Sequence, residues 1–413
     1  MFTFIHAADI HLDSPLTGLS QYQDAPVERI RNATRTALTN LVDLSIERQI
    51  DFLLIAGDLY NGDWKDYNTG LFFIREMRRL DEAGIPVYLI SGNHDAESKI
   101  TKALTLPDNV HHFKSGKAAT VTVQGHPVSI HGQSFATPSV TENLAESYPA
   151  PVAEHFNIGL LHTNLGDQAG HGNYAPCTQQ QLAQHGYDYW ALGHIHKREV
   201  HQQSPHIVYS GNIQGRHAKE TGPKGCYLVR VDADLQVQDF DFHALDTVRW
   251  HQTEIDCSDL TELDQLFDAI RTAFDDAIEK SGDRLAVVRV NLTGHTELHG
   301  TLHSEPSRIE SECRLITEDL GLENIWVEKI KLKTKSKTKL ADLAQRDDLV
   351  AMVIDALDHL DASQHPPAVT ELRTKLPPEA LRELQFDAPS KADRDALKDE
   401  VSAIVLHALT IAD

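Results

Sequence analysis

The chain has 413 residues, with 38 Lys and Arg against 61 Asp and Glu, a formal net charge of −23, 24 histidines and four cysteines. Length alone points to two or three domains, and 24% charged beside 41% hydrophobic residues excludes wholesale disorder and collagen-like sequence. No apolar run approaches the roughly 18 residues of a membrane span. Residues 1–6 lack the basic start and small-residue cleavage site of a signal peptide, so a cytoplasmic protein with no membrane partner is expected. Cys177, Cys226, Cys257 and Cys313 form no C-x-x-C pair, which argues against a disulfide framework and a thiolate zinc site and predicts buried thiols. The excess of acid argues against a simple basic-surface nucleic-acid binder.

Residues 1–243 alternate apolar runs with amphipathic stretches, the pattern of an α/β layered domain. After Asp24, Ala25 and Pro26, the positions Ile30, Ala33, Ala37, Leu41 and Leu44 recur at helical spacing and predict a helix reaching Gln49. Runs at 119–123, 206–210 and 226–231 are short and β-rich without long helices between them. They predict a second sheet stacked on the first, an α/β sandwich of two sheets flanked by helices.

From residue 244 the pattern changes. Ser258 is expected to cap a helix with Leu260, Leu263, Phe267, Ile270, Phe274 and Ile278 on one face. An extended run at 285–290, a helix near 306–320 and a strand at 325–332 follow, so residues 244–340 read as a small α/β domain. Residues 341–413 read as a helical C-terminal region, broken at Pro366-Pro367 and Pro377-Pro378. Its apolar stripe, Leu349, Met352, Val353, Leu357 and Leu360, packs on the body of the protein or awaits a partner.

Five apolar runs each end in metal-ligand residue types. They lead into Asp9-Ile10-His11, Gly57-Asp58, Gly92-Asn93-His94-Asp95, His162, and Gly193-His194-Ile195-His196. Ligands bind at the carboxyl ends of strands in open α/β sheets, so the five clusters are expected to converge. Asp, Asn and His donors without thiolate suit manganese, iron or zinc rather than calcium or an iron–sulfur cluster. Seven or so donors exceed one ion; two ions sharing one carboxylate account for them and would activate water for in-line attack on phosphorus.

The order D-x-H, G-D, G-N-H-D, H, G-H-x-H over residues 9–196 resembles the calcineurin-like metallophosphoesterase superfamily. Residues 6–13, Gly57-Asp58-Leu59-Tyr60 and residues 211–216 resemble more closely its SbcD-type DNA-repair exonucleases, and among them the YhaO-like branch. The resemblance implies a metallophosphoesterase sandwich of two mixed β-sheets flanked by helices, residues 1–243 being the nuclease domain. A small capping or DNA-guiding domain (244–340) and a helical partner-binding C-terminus (341–413) would follow. It implies two divalent ions, Mn²⁺ favoured and Fe²⁺ or Zn²⁺ as alternatives. Asp9, His11, Asp58 and His196 would hold one ion; Asp58, Asn93, His162 and His194 the other. His94 would protonate the leaving oxygen or stabilise charge on the phosphate, and Asp95 would orient the His94 imidazole. DNA and an SMC-like coiled-coil ATPase are the implied partners, with a homodimer as an open alternative. Some relatives carry a further histidine three positions after the bridging aspartate, where this chain has Asn61, so the balance of exonuclease and endonuclease action stays open.

Other features have plainer readings. His6, His131 and His155 sit in or beside apolar runs and read as packed histidines; His171 reads as a surface-loop residue. His295, His299 and His303 share a helical spacing that Gly294 and Gly300 are expected to interrupt. Lys329, Lys331, Lys333, Lys335, Lys337 and Lys339 lie at strict period two with no acidic residue among them, which places them on one face of a strand. They read either as a charged edge or, with Arg216 and Lys224, as phosphate contacts without base specificity. Three functions follow: a metal-dependent DNA exonuclease, a small-substrate phosphodiesterase or phosphatase, and a DNA-end-binding scaffold with structural metals.

Overall fold

In the computed structural model, which describes residues 1–14, 26–62, 67–97, 105–166, 174–337, 352, 400–405 and 407–408, the first apolar runs form parallel strands. These are β1 (Phe2–Ala7), β2 (Phe52–Ala56), β3 (Val87–Ile90) and β4 (Val110–His112). A second sheet follows with β5 (Ala119–Thr122), β6 (Val128–Gly132), β7 (Phe156–His162), β8 (Tyr189–Gly193), β9 (Glu199–Gln203) and β10 (His206–Tyr209). The chain then returns to the first sheet through β11 (Gly225–Val231) and β12 (Val237–Ala244). The orders are β12-β11-β1-β2-β3-β4 and β5-β6-β7-β8-β10-β9. Each sheet is mixed: β6, β7, β8 and β10 run parallel, and β11, β12, β5 and β9 pair antiparallel.

Period two sorts the side chains between layers. Phe2 and Phe4 on β1 join Phe52, Phe156, Ile158 and Tyr189 in the core between the sheets, while Ile5 and Ala7 join the helix-side core. Phe4 stacks on Phe52 at 5.1 Å and meets Tyr189 edge-on at 5.2 Å, so one residue fastens both sheets; such ring pairs add about 1 kcal/mol beyond burial. The helices Ala33–Glu47 and Tyr67–Glu82 cover the first sheet with Leu38, Leu41, Phe73, Met77 and Leu80. Where one helix was expected, a short helix Val27–Arg31 precedes Ala33–Glu47, and Asn32 (φ −88°, ψ 0°) separates them. The four cysteines are free and buried. His6 and His131 are fully buried as expected, His6 between the Tyr189 hydroxyl and the Leu192 carbonyl.

The chain divides into two compact units, residues 1–251 with 280–287 and residues 252–279 with 288–413. Most of a three-stranded sheet of order β13 (Val248–Asp256), β14 (Leu285–Thr293) and β16 (Ile325–Leu332) falls in the second. Helices Leu263–Ser281 and Pro306–Leu320 bury Ile270, Phe274, Ile309 and Cys313. The first of these starts at Leu263, later than the Ser258 cap predicts: Asp256 captures Ser258, and the Gln265 side chain accepts from the Thr261 and Glu262 N–H groups instead. A six-residue helix, His299–Ser304, forms in spite of Gly300. Its His299 ring bonds the buried Thr334 hydroxyl at 3.0 Å.

After β16, the Lys333 and Lys335 N–H groups bond the carbonyls of Leu292 and Gly294. A short pairing of β15 (His295–Thr296) with β17 (Lys335–Ser336) extends the run. Lys329, Lys333, Lys335 and Lys337 are exposed and Lys331 partly so, alternating with the buried Glu328 and Thr334. Glu328 is paired with Arg289. Lys339 and, apart from Met352, the apolar stripe at 349–360 lie outside the described residues, as does His171. Among the described residues no helix is long and apolar enough to cross a membrane.

Candidate metal centre

The carboxyl ends of β1, β2, β3, β7 and β8 bring the five motifs together. Asp9, His11, Asp58 and His162 are each at most 1% exposed. Their donor atoms form three overlapping groups within 4.8 Å: Asp9 with His11 and His196, His11 with Asp58 and His94, and Asp9 with Asp58 and His162. Asp58 Oδ2 lies 3.7 Å from His11 Nε2 and 3.4 Å from His162 Nε2. His11 Nε2 faces His196 Nε2 at 3.1 Å, and His162 Nε2 faces Asn93 Oδ1 at 3.0 Å.

The backbone is bent to achieve this. Asp9, His11, Asp58 and His194 have φ of 50°, 43°, 51° and 101°, the left-handed region that non-glycine residues seldom adopt. Such strain persists only where surrounding bonds hold it. Here the Asp9 and His11 N–H groups bond the Gly57 and Asp58 carbonyls, and the His194 N–H bonds both Asp9 carboxylate oxygens at 3.0 and 3.1 Å. Gly92 is required because a Cβ there would run into the Asp58 carboxylate and the His162 ring; at Gly193 it would strike the Ala56 carbonyl.

The donors fit metal ions. His162 Nδ1 donates to the Ala56 carbonyl at 2.9 Å, so in the neutral ring the Nε2 lone pair is aimed at two oxygens. His196 Nδ1 donates to Glu220 Oε1 at 2.6 Å, which likewise leaves Nε2 bare. Facing lone pairs need a proton or a cation between them, and separations of 3.0–3.7 Å suit neighbouring donors around an ion bonded at about 2.1 Å. Electrostatics agree. Burial would lower the His162 pKa, but Asp58 and Asp9 outweigh it and push it up. Burial would likewise raise Asp58, which the surrounding histidines hold well below the usual carboxylate range.

The family of calcineurin-like phosphoesterases matches residues 2–198, and the middle domain of metallophosphoesterase YhaO matches residues 250–335. The uncharacterized metallophosphoesterase YhaO of Bacillus subtilis is 33% identical over 366 residues, 87% of this chain and 88% of its own. The chain belongs to the calcineurin-like metallophosphoesterases. It is also similar to proteins described as the DNA double-strand break repair protein Mre11. That of Sulfurisphaera tokodaii is 27% identical over 256 residues, 56% of this chain and 60% of its own; that of Sulfolobus acidocaldarius is 21% identical over 380 residues, 86% and 91%.

As a metallophosphoesterase the chain is a metal-dependent hydrolase of phosphoesters, and the family uses a dinuclear divalent centre. Around that centre the structure places the remaining sequence candidates. His94 is partly exposed at the rim, its ring 5.0 Å from that of His11 and its backbone N–H on Asp58 Oδ1 at 3.0 Å. His194 sits 5.3 Å from the His162 ring, outside the three tight donor groups. Arg216 is nearby, Nη1 at 3.4 Å from both Ser14 Oγ and Asn61 Oδ1 and Nη2 at 3.2 Å from His196 Nδ1.

Two expectations are corrected. Asp95 does not reach the His94 ring among the described hydrogen bonds. Its oxygens accept from the N–H groups of Leu59, Tyr60 and Gly92 at 3.0, 2.8 and 3.0 Å, tying the loops after β2 and β3 together. Burial and the nearby Asp58 push its pKa up to about 7. Lys224 is not a phosphate contact: it is 7% exposed and its ammonium donates to the His196 carbonyl at 2.9 Å. Burial lowers its pKa.

Glu220 escaped the sequence reading. It bonds His196, Asn212 Nδ2 and the Arg216 N–H. Burial would raise its pKa, but His196 and Arg216 hold it well below the carboxylate range. The only sequence signal was its place just after residues 211–216, which reach the centre through the bridge of Asn212 to Ala8 beyond β1.

Proposed function

We propose that the chain is a two-metal DNA exonuclease subunit acting in DNA repair. The observation that carries the two-metal part is Asp58 Oδ2, flanked by His11 Nε2 at 3.7 Å and His162 Nε2 at 3.4 Å, so that this carboxylate would serve in holding both ions. Asp9, His11 and His196 would hold one ion with Asp58, and Asn93, His162 and His194 the other. Mn²⁺ is the proposed ion, since a set of oxygen and nitrogen donors suits it. Bound there, divalent ions supply charge to a phosphoryl oxygen and lower the pKa of an attacking water.

The chain's own residues do the rest. Asp95 clamps the two loops that carry Asp58 and Asn93, so the donors are set before substrate arrives. His94, at the rim, would protonate the leaving oxygen or stabilise charge on the phosphate. Arg216, 14% exposed, offers a planar cation to a phosphate oxygen. DNA as substrate is supported by the similarity to DNA double-strand break repair proteins and by the lysine-bearing strand Ile325–Leu332 and its continuation. Residues 341–413 are proposed to dock on an SMC-like coiled-coil ATPase.

The reading is tested by incubating the protein with Mn²⁺ and end-labelled DNA beside bis-p-nitrophenyl phosphate. Release of nucleotides from DNA ends is expected. Hydrolysis of the small ester alone makes it a small-substrate phosphodiesterase, and turnover of neither makes it a scaffold. The lysines make a separate prediction: replacing Lys329, Lys331, Lys333 and Lys335 by Gln should flatten the plot of log binding constant against log salt by about three units. An unchanged slope returns them to the role of a charged edge.

A further inference from the structure

Glu220 lies outside every metal-ligand motif, yet both of its carboxylate oxygens are spent on the centre. Oε1 accepts from His196 Nδ1 at 2.6 Å and lies 3.7 Å from the Arg216 guanidinium. Oε2 accepts from Asn212 Nδ2 at 2.8 Å and from the Arg216 N–H at 2.7 Å. Asn212 is fully buried and itself donates to the Gln214 carbonyl at 2.9 Å, so the carboxylate is fixed from behind.

Its bond to His196 keeps the ring proton on Nδ1, and the bare Nε2 then faces His11 and Asp9. Metal-ligating histidines are set in this way by a partner on the other ring nitrogen. Its hold on Arg216 has a second effect. The guanidinium makes long contacts of 3.4 Å to Ser14 and Asn61, and its buried Nε has no hydrogen-bond partner. Arg216 is therefore anchored at its base by Glu220, while its Nη groups make only contacts of 3.2–3.4 Å to Ser14, Asn61 and His196, which a phosphate oxygen can displace.

We propose that Glu220 is a positioning residue that couples the two halves of the site, fixing His196 in its metal-ligating tautomer and holding Arg216 as the grip for a substrate phosphate oxygen. This rests on the two-metal reading above. An amide cannot replace the carboxylate, because only one of its ends accepts. In Glu220→Gln either His196 Nδ1 or the Asn212 and Arg216 donors must face an N–H group.

The test is Mn²⁺ binding to the metal-free protein by titration calorimetry, with KM for bis-p-nitrophenyl phosphate measured alongside. Glu220→Gln is expected to weaken one of two Mn²⁺ sites about 10–100-fold and to raise KM. Arg216→Ala is expected to raise KM with both Mn²⁺ affinities unchanged. Should Glu220→Gln fail to fold, ¹⁵N NMR of His196 in the metal-free wild type decides the tautomer: a proton on Nδ1 supports the proposal, and one on Nε2 alone overturns it. A wild type that binds two ions beside a Glu220→Gln variant with unchanged affinities removes the role of Glu220 only. A wild type that binds no Mn²⁺ removes the two-metal reading as well.

Discussion

Asp58→Asn is expected to lower turnover of any phosphoester by about 1000-fold or more and to strip the protein of bound metal. The carboxylate sits between two imidazole nitrogens at 3.4 and 3.7 Å while its other oxygen accepts the His94 N–H at 3.0 Å. Asparagine keeps the shape but offers one oxygen and no charge, and an amide nitrogen turned toward His11 or His162 repels the cation. Charge stabilisation by metal is worth several kcal/mol, and each 1.36 kcal/mol is tenfold in rate. Elemental analysis beside a turnover assay checks both parts; full activity with full metal content would remove Asp58 from the centre.

His94→Ala should behave differently. Loss of a general acid costs about 10²–10⁴-fold, with metal content intact, because His94 is the partly exposed member of its donor group while His11 and Asp58 are buried. The loss should be larger on DNA than on bis-p-nitrophenyl phosphate, since p-nitrophenolate leaves without needing a proton and a sugar hydroxyl does not. Equal losses on both would make His94 a stabiliser of phosphate charge. Loss of metal would make it a ligand, a role its grouping with His11 and Asp58 keeps in view.

The two-sheet sandwich was legible because buried parallel strands are short apolar runs, and the five metal-ligand clusters were legible because each follows such a run directly. The lysine run follows strand period over part of its length: Lys329, Lys333 and Lys335 are exposed around the buried Glu328 and Thr334, whereas Ile330, Lys331 and Leu332 are all partly exposed. Side-chain partners were less visible. Asp95 has the residue type of a histidine orienter, but local sequence does not say whether a carboxylate meets a ring or three backbone N–H groups. Lys224, a cation in a polar stretch, gave no sign that folding would bury it on the His196 carbonyl. Glu220 meets the centre through its own bond to His196 and through Asn212, whose bridge to Ala8 pairs residues more than 200 positions apart. The left-handed backbone at Asp9, His11, Asp58 and His194 is equally silent in sequence, because the tertiary hydrogen bonds of those four turns hold it against local preference.

The central claim is a two-metal centre built around Asp58. Its most direct test is the anomalous difference map of crystals grown with Mn²⁺. Two peaks about 3.5–4 Å apart, with Asp58 between them, His11 and His196 beside one and His162 and Asn93 beside the other, are the predicted result. A single peak, or a pair that does not share Asp58, would contradict it.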